Sequence, residues 1–125
     1  MMRFTKGKFV IEIKLDAPGV YIFPNASSSG KTYLCGLLSD LSPYERVDSL
    51  TFNDVRKTNS AEFFNPSAVD LVMLDRYDMY PGKFVQEISK FAESGIVLVD
   101  SKAYDFPFQV ESCGIYLYEN RLVVM

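Results

Sequence analysis

Residues 23–32 read Phe-Pro-Asn-Ala-Ser-Ser-Ser-Gly-Lys-Thr. A loop of small residues that closes on Gly30-Lys31-Thr32 at the start of a helix can hold an anion. Its backbone N–H groups and the positive end of the helix dipole surround the charge, Lys31 adds a cation, and the Thr32 hydroxyl can ligate Mg²⁺. The candidate phosphate-binding residues are therefore Asn25, Ala26, Ser27, Ser28, Ser29, Gly30, Lys31 and Thr32. Such loops carry a glycine five residues before Gly30, where this chain has Asn25. Asparagine adopts left-handed backbone more readily than other side-chain-bearing residues, so the departure is mild. The plainer alternative is a serine-rich turn capping a helix, with Lys31 solvated.

Two apolar runs, LVMLD at 71–75 and IVLVD at 96–100, each end on an acid. In a parallel α/β sheet ligands bind beyond the carboxyl ends of the strands, which is where Asp75 and Asp100 would lie. Asp75 is the candidate Mg²⁺ ligand together with Thr32. Cutting a phosphate also needs a group that activates water, and the residue after Asp75 is Arg76. Asp78 is the nearest remaining carboxylate and the one candidate base. Arg46, Arg56, Arg76 and Arg121 are candidate charge stabilisers, with ordinary surface roles as the alternative.

The elements that would position these groups follow from hydrophobic period. KFVIEIKL (8–15) alternates with period two, giving a strand with one wet face at or near a sheet edge. VYIF (20–23) is a strand covered on both faces. Leu34, Leu37, Leu38 and Leu41 predict a helix over 31–41, ended by Ser42-Pro43. VDSLTF (47–52) reads as a strand, and 53–68 as irregular chain with a short helix near 60–64. Residues 69–75 and 96–100 are buried strands. Between them KFVQEISKFAES is a helix closed by Gly95, with Phe84, Val85, Ile88 and Phe91 on one face. The end, CGIYLYENRLVVM, is a hairpin. The layout predicts one α/β domain over 1–125 with a mostly parallel sheet flanked by helices.

Composition narrows the chemistry. At 125 residues with 48% apolar side chains, the chain can bury a core. A formal charge of −3 disfavours nucleic acid and anionic lipid as partners. No apolar run reaches the roughly 20 residues a membrane-spanning helix needs, and the amino terminus is unlike a signal peptide, so the expectation is a cytoplasmic protein. The absence of histidine excludes Ser-His-Asp and Cys-His triads and the common zinc sites. Cys35 and Cys113 read as buried reduced thiols. Phe63, Phe64, Tyr77, Tyr80, Phe106 and Phe108 read mainly as core and loop packing.

In these residues the chain resembles a stripped phosphate-loop (P-loop) nucleoside triphosphatase, similar in plan to the ATP-binding-cassette ATPases. KFVIEIKLDAPGVYIFPNASSSGKTYL resembles that family's antiparallel strand, turn, first core strand and Walker A loop. LVMLD resembles the Walker B strand, SGIVLVDSK the strand that follows, and IYLYENRLVVM the closing hairpin. The resemblance implies a three-layer P-loop fold with a mostly parallel sheet, an antiparallel amino-terminal strand and a carboxy-terminal hairpin. It implies phosphate contacts at 25–31 and Mg²⁺ at Thr32 and Asp75, with ATP or another nucleoside triphosphate as ligand. Arg76 stands where the family has its catalytic glutamate, and the family's signature motif and switch histidine are missing. Only Phe4 or Phe9 is available to stack on a base.

The expectation is nucleotide binding with weak or partner-dependent hydrolysis. A noncatalytic interaction module, assembling with a protein partner or a second copy, is the competing expectation. A small phosphotransferase fits poorly, because the chain is short for an acceptor site and a lid.

Overall fold

The computed structural model describes residues 1–24, 28–57 and 68–125, without the side chains of residues 28, 29 and 55–57. Its strands are β1 (Met2–Lys6), β2 (Phe9–Ile13), β3 (Gly19–Ile22), β4 (Val47–Leu50), β5 (Leu71–Leu74), β6 (Ile96–Val99), β7 (Glu111–Ser112), β8 (Ile115–Tyr118) and β9 (Arg121–Val124). The α-helices are α1 (Ser28–Leu41), α2 (Phe52–Lys57) and α3 (Val85–Phe91), the last entered through a 3₁₀ turn at Gly82–Phe84.

Five strands form an all-parallel sheet in the order β4-β5-β6-β3-β7. The apolar runs suit it because both faces are covered. Tyr21, Val47, Leu71, Met73, Ile96 and Leu98 face a core shared with Leu34, Leu37, Leu38 and Leu41 of α1. The alternate residues Val20, Leu50, Val72, Leu74, Val97 and Val99 face a second core with Phe84, Ile88 and Phe91. The helices thus lie on opposite faces, which is why the strands lack the polar alternation of a half-wet sheet.

The other strands form a separate mixed sheet, ordered β1-β2-β9-β8. β1 and β2 pair antiparallel, as do β8 and β9, while β2 and β9 run parallel and join the two hairpins. Phe4, Ile11, Ile13, Leu122 and Val124 enter the same core as the leucines of α1. The expected α/β domain with a parallel sheet, and the closing hairpin, are therefore present.

The details differ from the sequence reading at several points. The amino-terminal strand and the carboxy-terminal hairpin build a second sheet, because β2 bonds to β9 and not to a core strand. β2 is flanked on both sides, so Glu12 is buried and paired with Arg121 at 3.3 Å instead of facing water. β1 is an additional strand, turned into β2 by Gly7 at φ 61°, a dihedral that favours glycine. Helix α1 begins at Ser28, three residues earlier than expected. β4 ends at Leu50, two residues short of the expected strand, and Phe52 together with 53–57, expected to be irregular, forms a helix. Thr51 and Asp54 cap that helix reciprocally: the Thr51 N–H donates to Asp54 Oδ2 (2.9 Å) and the Asp54 N–H to Thr51 Oγ1 (3.2 Å). The helix expected near 60–64 lies outside the described residues.

Gly95 closes α3 by donating its N–H to the Phe91 carbonyl at 2.8 Å. A Cβ at this position would lie 2.5 Å from Cε1 of the Phe91 ring. Phe91 is fully buried, so the ring has nowhere to swing. Gly95→Ala should lower stability by about 1–3 kcal/mol through overpacking, read as a reduced urea midpoint with unchanged slope.

Candidate functional site

Register brings the two acids together. Ile22, Leu74 and Val99 occupy one level of the parallel sheet, on β3, β5 and β6. The next residues, Asp75 and Asp100, leave adjacent strands side by side. Alternation then fixes their face. Met73 and Leu98 point to the α1 side, so two residues later Asp75 and Asp100 do as well. Neighbouring strands lie roughly 4.8 Å apart, close enough for the two carboxyl groups to feel each other strongly.

The site also sits where crossovers diverge. From the end of β3 the chain passes into α1 on one face. From the ends of β5 and β6 it passes to the other face, through α3 and through the Phe106–Val110 segment. A crevice opens at such a switch point between strands whose connections separate. Lys31, in the first turn of α1, enters it and places Nζ 2.8 Å from Asp100 Oδ1. Both side chains are largely shielded, at 15% and 11% exposure.

A cleft of about 340 Å³ runs along α1, lined by Thr32, Cys35, Ser49, Thr51, Asp54 and Asp75 among others. Thr32 and Asp75, the two expected Mg²⁺ ligands, thus share one cleft. Burial, and then the neighbouring Asp100, push the Asp75 carboxyl up to about 6, against the pull of Arg76 and Lys31. A cavity of similar volume at the opposite end of β3, lined by Pro18–Tyr21 and Gln109–Glu111, contains one carboxylate and no cation.

Arg76 and Asp78 are committed to each other. Arg76 takes a left-handed backbone (φ 53°, ψ 56°), which turns the chain sharply after β5. Its guanidinium donates to Asp78 through Nε (3.0 Å) and Nη2 (2.7 Å). The Lys102 N–H also donates to Asp78 Oδ1, at 3.2 Å. Asp78, offered above as a base, is held down to about 2 chiefly by the Arg76 hydrogen bonds. A carboxylate held so low accepts protons poorly, and its geometry fits a clamp between two loops.

The remaining candidates fall into place around this core. Asn25, Ala26 and Ser27 lie outside the described residues, as do the side chains of Ser28, Ser29 and Arg56. Gly30 is buried in the first turn of α1. Arg46 pairs with Asp70 through two hydrogen bonds, and Arg121 pairs with Glu12 while covering the Tyr118 ring. Phe4 is buried in the core, whereas Phe9 stacks on the exposed Tyr33 with ring centroids 5.8 Å apart. Tyr77, Phe106 and Phe108 pack together at 5.6–5.9 Å against the second core. Phe63 and Phe64 lie outside the described residues. Cys35 and Cys113 are half-buried free thiols, both pushed up to about 12 mainly by burial, so neither is a ready nucleophile.

Sequence reading singled out Lys31, Thr32, Asp75 and Asp100 but missed Thr51 and Asp54, which line the cleft with Thr32 and Asp75. Their signal was Thr51-x-x-Asp54, the spacing of a capping box. Among the described residues no helix is long and apolar enough to cross a membrane.

The clamp has a pH signature. The folded Asp78 carboxyl lies below its ordinary value of 3.8, so it stabilises the fold above that value and loses the contribution as pH falls through about 2. Asp78→Asn should be less stable than wild type at pH 7, and the gap should close between about pH 4 and 2 in urea titrations.

Compared with protein-family models, curated proteins and solved structures, the chain matches none.

Proposed function

We propose that the protein binds a nucleoside triphosphate, with ATP the first candidate, through a P-loop-like site at the start of α1. The observation that carries the reading is the Lys31–Asp100 contact at the sheet's switch point, with Asp75 beside Asp100 and sharing a cleft with Thr32. A phosphate chain laid across the first turn of α1 would meet the positive end of the helix dipole and the Lys31 ammonium. Apart from the Cys35 thiol, which burial keeps protonated, the side-chain donors lining the cleft with Asp75 are hard oxygens, which suit Mg²⁺. That ion is ordinarily held by one or two carboxylates and the ligand's own phosphates, not by a closed protein cage. When bound, Mg²⁺ would neutralise phosphate charge; Thr32 and Asp75 would hold it.

Turnover is expected to be slow or to depend on a partner. Arg76 replaces a base directly after Asp75 and is itself spent on Asp78, which is in turn a poor proton acceptor. On this reading the site holds and orients a triphosphate, while neither Arg76 nor Asp78 is placed to activate water. A partner that supplies one would restore the missing step, as trans-acting residues do in other phosphoryl-transfer systems.

A specific feature supports the second reading, an interaction module. The edge strand β8 exposes Tyr116, Leu117 and Tyr118. An open edge carrying large apolar side chains is suited to pairing with another chain.

Isothermal titration with Mg·ATP and Mg·GTP separates the two. Wild type should release or absorb heat on binding, and Lys31→Ala should bind at least about tenfold more weakly, the scale of one charge-assisted contact. Absence of heat with wild-type protein would refute nucleotide binding and leave the interaction module.

A further inference from the structure

Lys31, the cation that should meet phosphate, is in contact with Asp100, a residue only 9% exposed. Resting on the nucleotide reading, we propose that Asp100 is a positioning residue that makes phosphate binding conditional on a divalent cation. The site accepts a polyphosphate as its metal complex and rejects the free anion.

The shielded Lys31–Asp100 pair beside Asp75 drives the argument. Among the described side chains, three carboxylates, Asp75, Asp78 and Asp100, and three cations, Lys31, Arg76 and the exposed Lys102, stand around the ends of β5 and β6. Arg76 is taken by Asp78 through two hydrogen bonds. Asp75 and Asp54 line the cleft, and Asp100, beside Asp75, holds Lys31.

To bind phosphate, Lys31 must leave Asp100. That would strand a buried carboxylate beside Asp75, combining a desolvation penalty with like-charge repulsion. A divalent cation arriving with the phosphate removes both costs. It supplies positive charge to the two carboxylates and releases the Lys31 ammonium toward the phosphate oxygens. Asp100 thus couples the position of Lys31 to the presence of the metal, while Asp75 and Thr32 remain the residues that would touch it.

The inference is tested by measuring ATP affinity in MgCl₂ and in EDTA for wild type and Asp100→Asn. Wild type should bind Mg·ATP at least about tenfold more tightly than ATP in EDTA, and Asp100→Asn should shrink that ratio by strengthening metal-free binding. A merely structural role for Asp100 would weaken both affinities together and leave the ratio unchanged, which would overturn the inference while sparing the nucleotide reading. Failure of the wild type to bind in either buffer would overturn both. A second readout needs neither variant nor nucleotide. In wild-type protein, MgCl₂ should speed acylation of Lys31 relative to exposed Lys102, measured by mass spectrometry. An unchanged ratio of the two rates would also contradict the release of Lys31 by metal.

Discussion

Two carboxylates leaving adjacent strands on the same face, at the same level of a parallel sheet, cannot both stay charged in a shielded place without a cation. The pairing of Leu74 with Val99 puts Asp75 and Asp100 in that position, and Lys31 supplies the cation at 2.8 Å. The contact ties the first turn of α1 to the end of β6. A buried ion pair of this kind is weak evidence for stability, because desolvation offsets most of its Coulomb gain. On the proposed nucleotide reading, a ligand exchanges with one of its members.

The surrounding structure can be read as support for that arrangement. The left-handed backbone at Arg76 turns the chain away at once after Asp75, and the Tyr77 N–H donates to the Asp100 carbonyl at 2.8 Å. Asp78 then holds Arg76 and the Lys102 amide, closing the loops that follow β5 and β6 against each other. On the other side of the cleft, Thr51 and Asp54 cap α2 and fix the chain leaving β4. The second sheet contributes from behind, since its apolar face shares a core with the leucines of α1. The helix that presents Lys31 is therefore held by both sheets.

Much of this was legible in the sequence, for physical reasons that differ by element. β3, β5 and β6 are short apolar runs whose composition demands two covered faces, and α1 declares itself by four leucines at helical spacing. The type of the site residues was legible as well, because Gly30-Lys31-Thr32 and two strand-ending acids carry distinct chemistry. The juxtaposition of Asp75 with Asp100 was not. It depends on register between strands separated by 21 residues of chain, and no local pattern encodes that register. The second sheet was missed for a similar reason, since the β2–β9 pairing joins the two ends of the chain. Two misses did have local signals. Thr51-Phe52-Asn53-Asp54 announces the start of α2, and Lys6-Gly7-Lys8 between alternating segments marks the turn from β1 to β2.

The central claim is that the first turn of α1 and the ends of β5 and β6 form one ligand site. Amide chemical-shift mapping of ¹⁵N-labelled protein during titration with Mg·ATP tests it most directly. The account predicts saturable shifts concentrated at Gly30, Lys31, Thr32, Asp75 and Asp100. Shifts confined to the far end of β3, around Gly19 and Glu111, or to the β8 edge would contradict it.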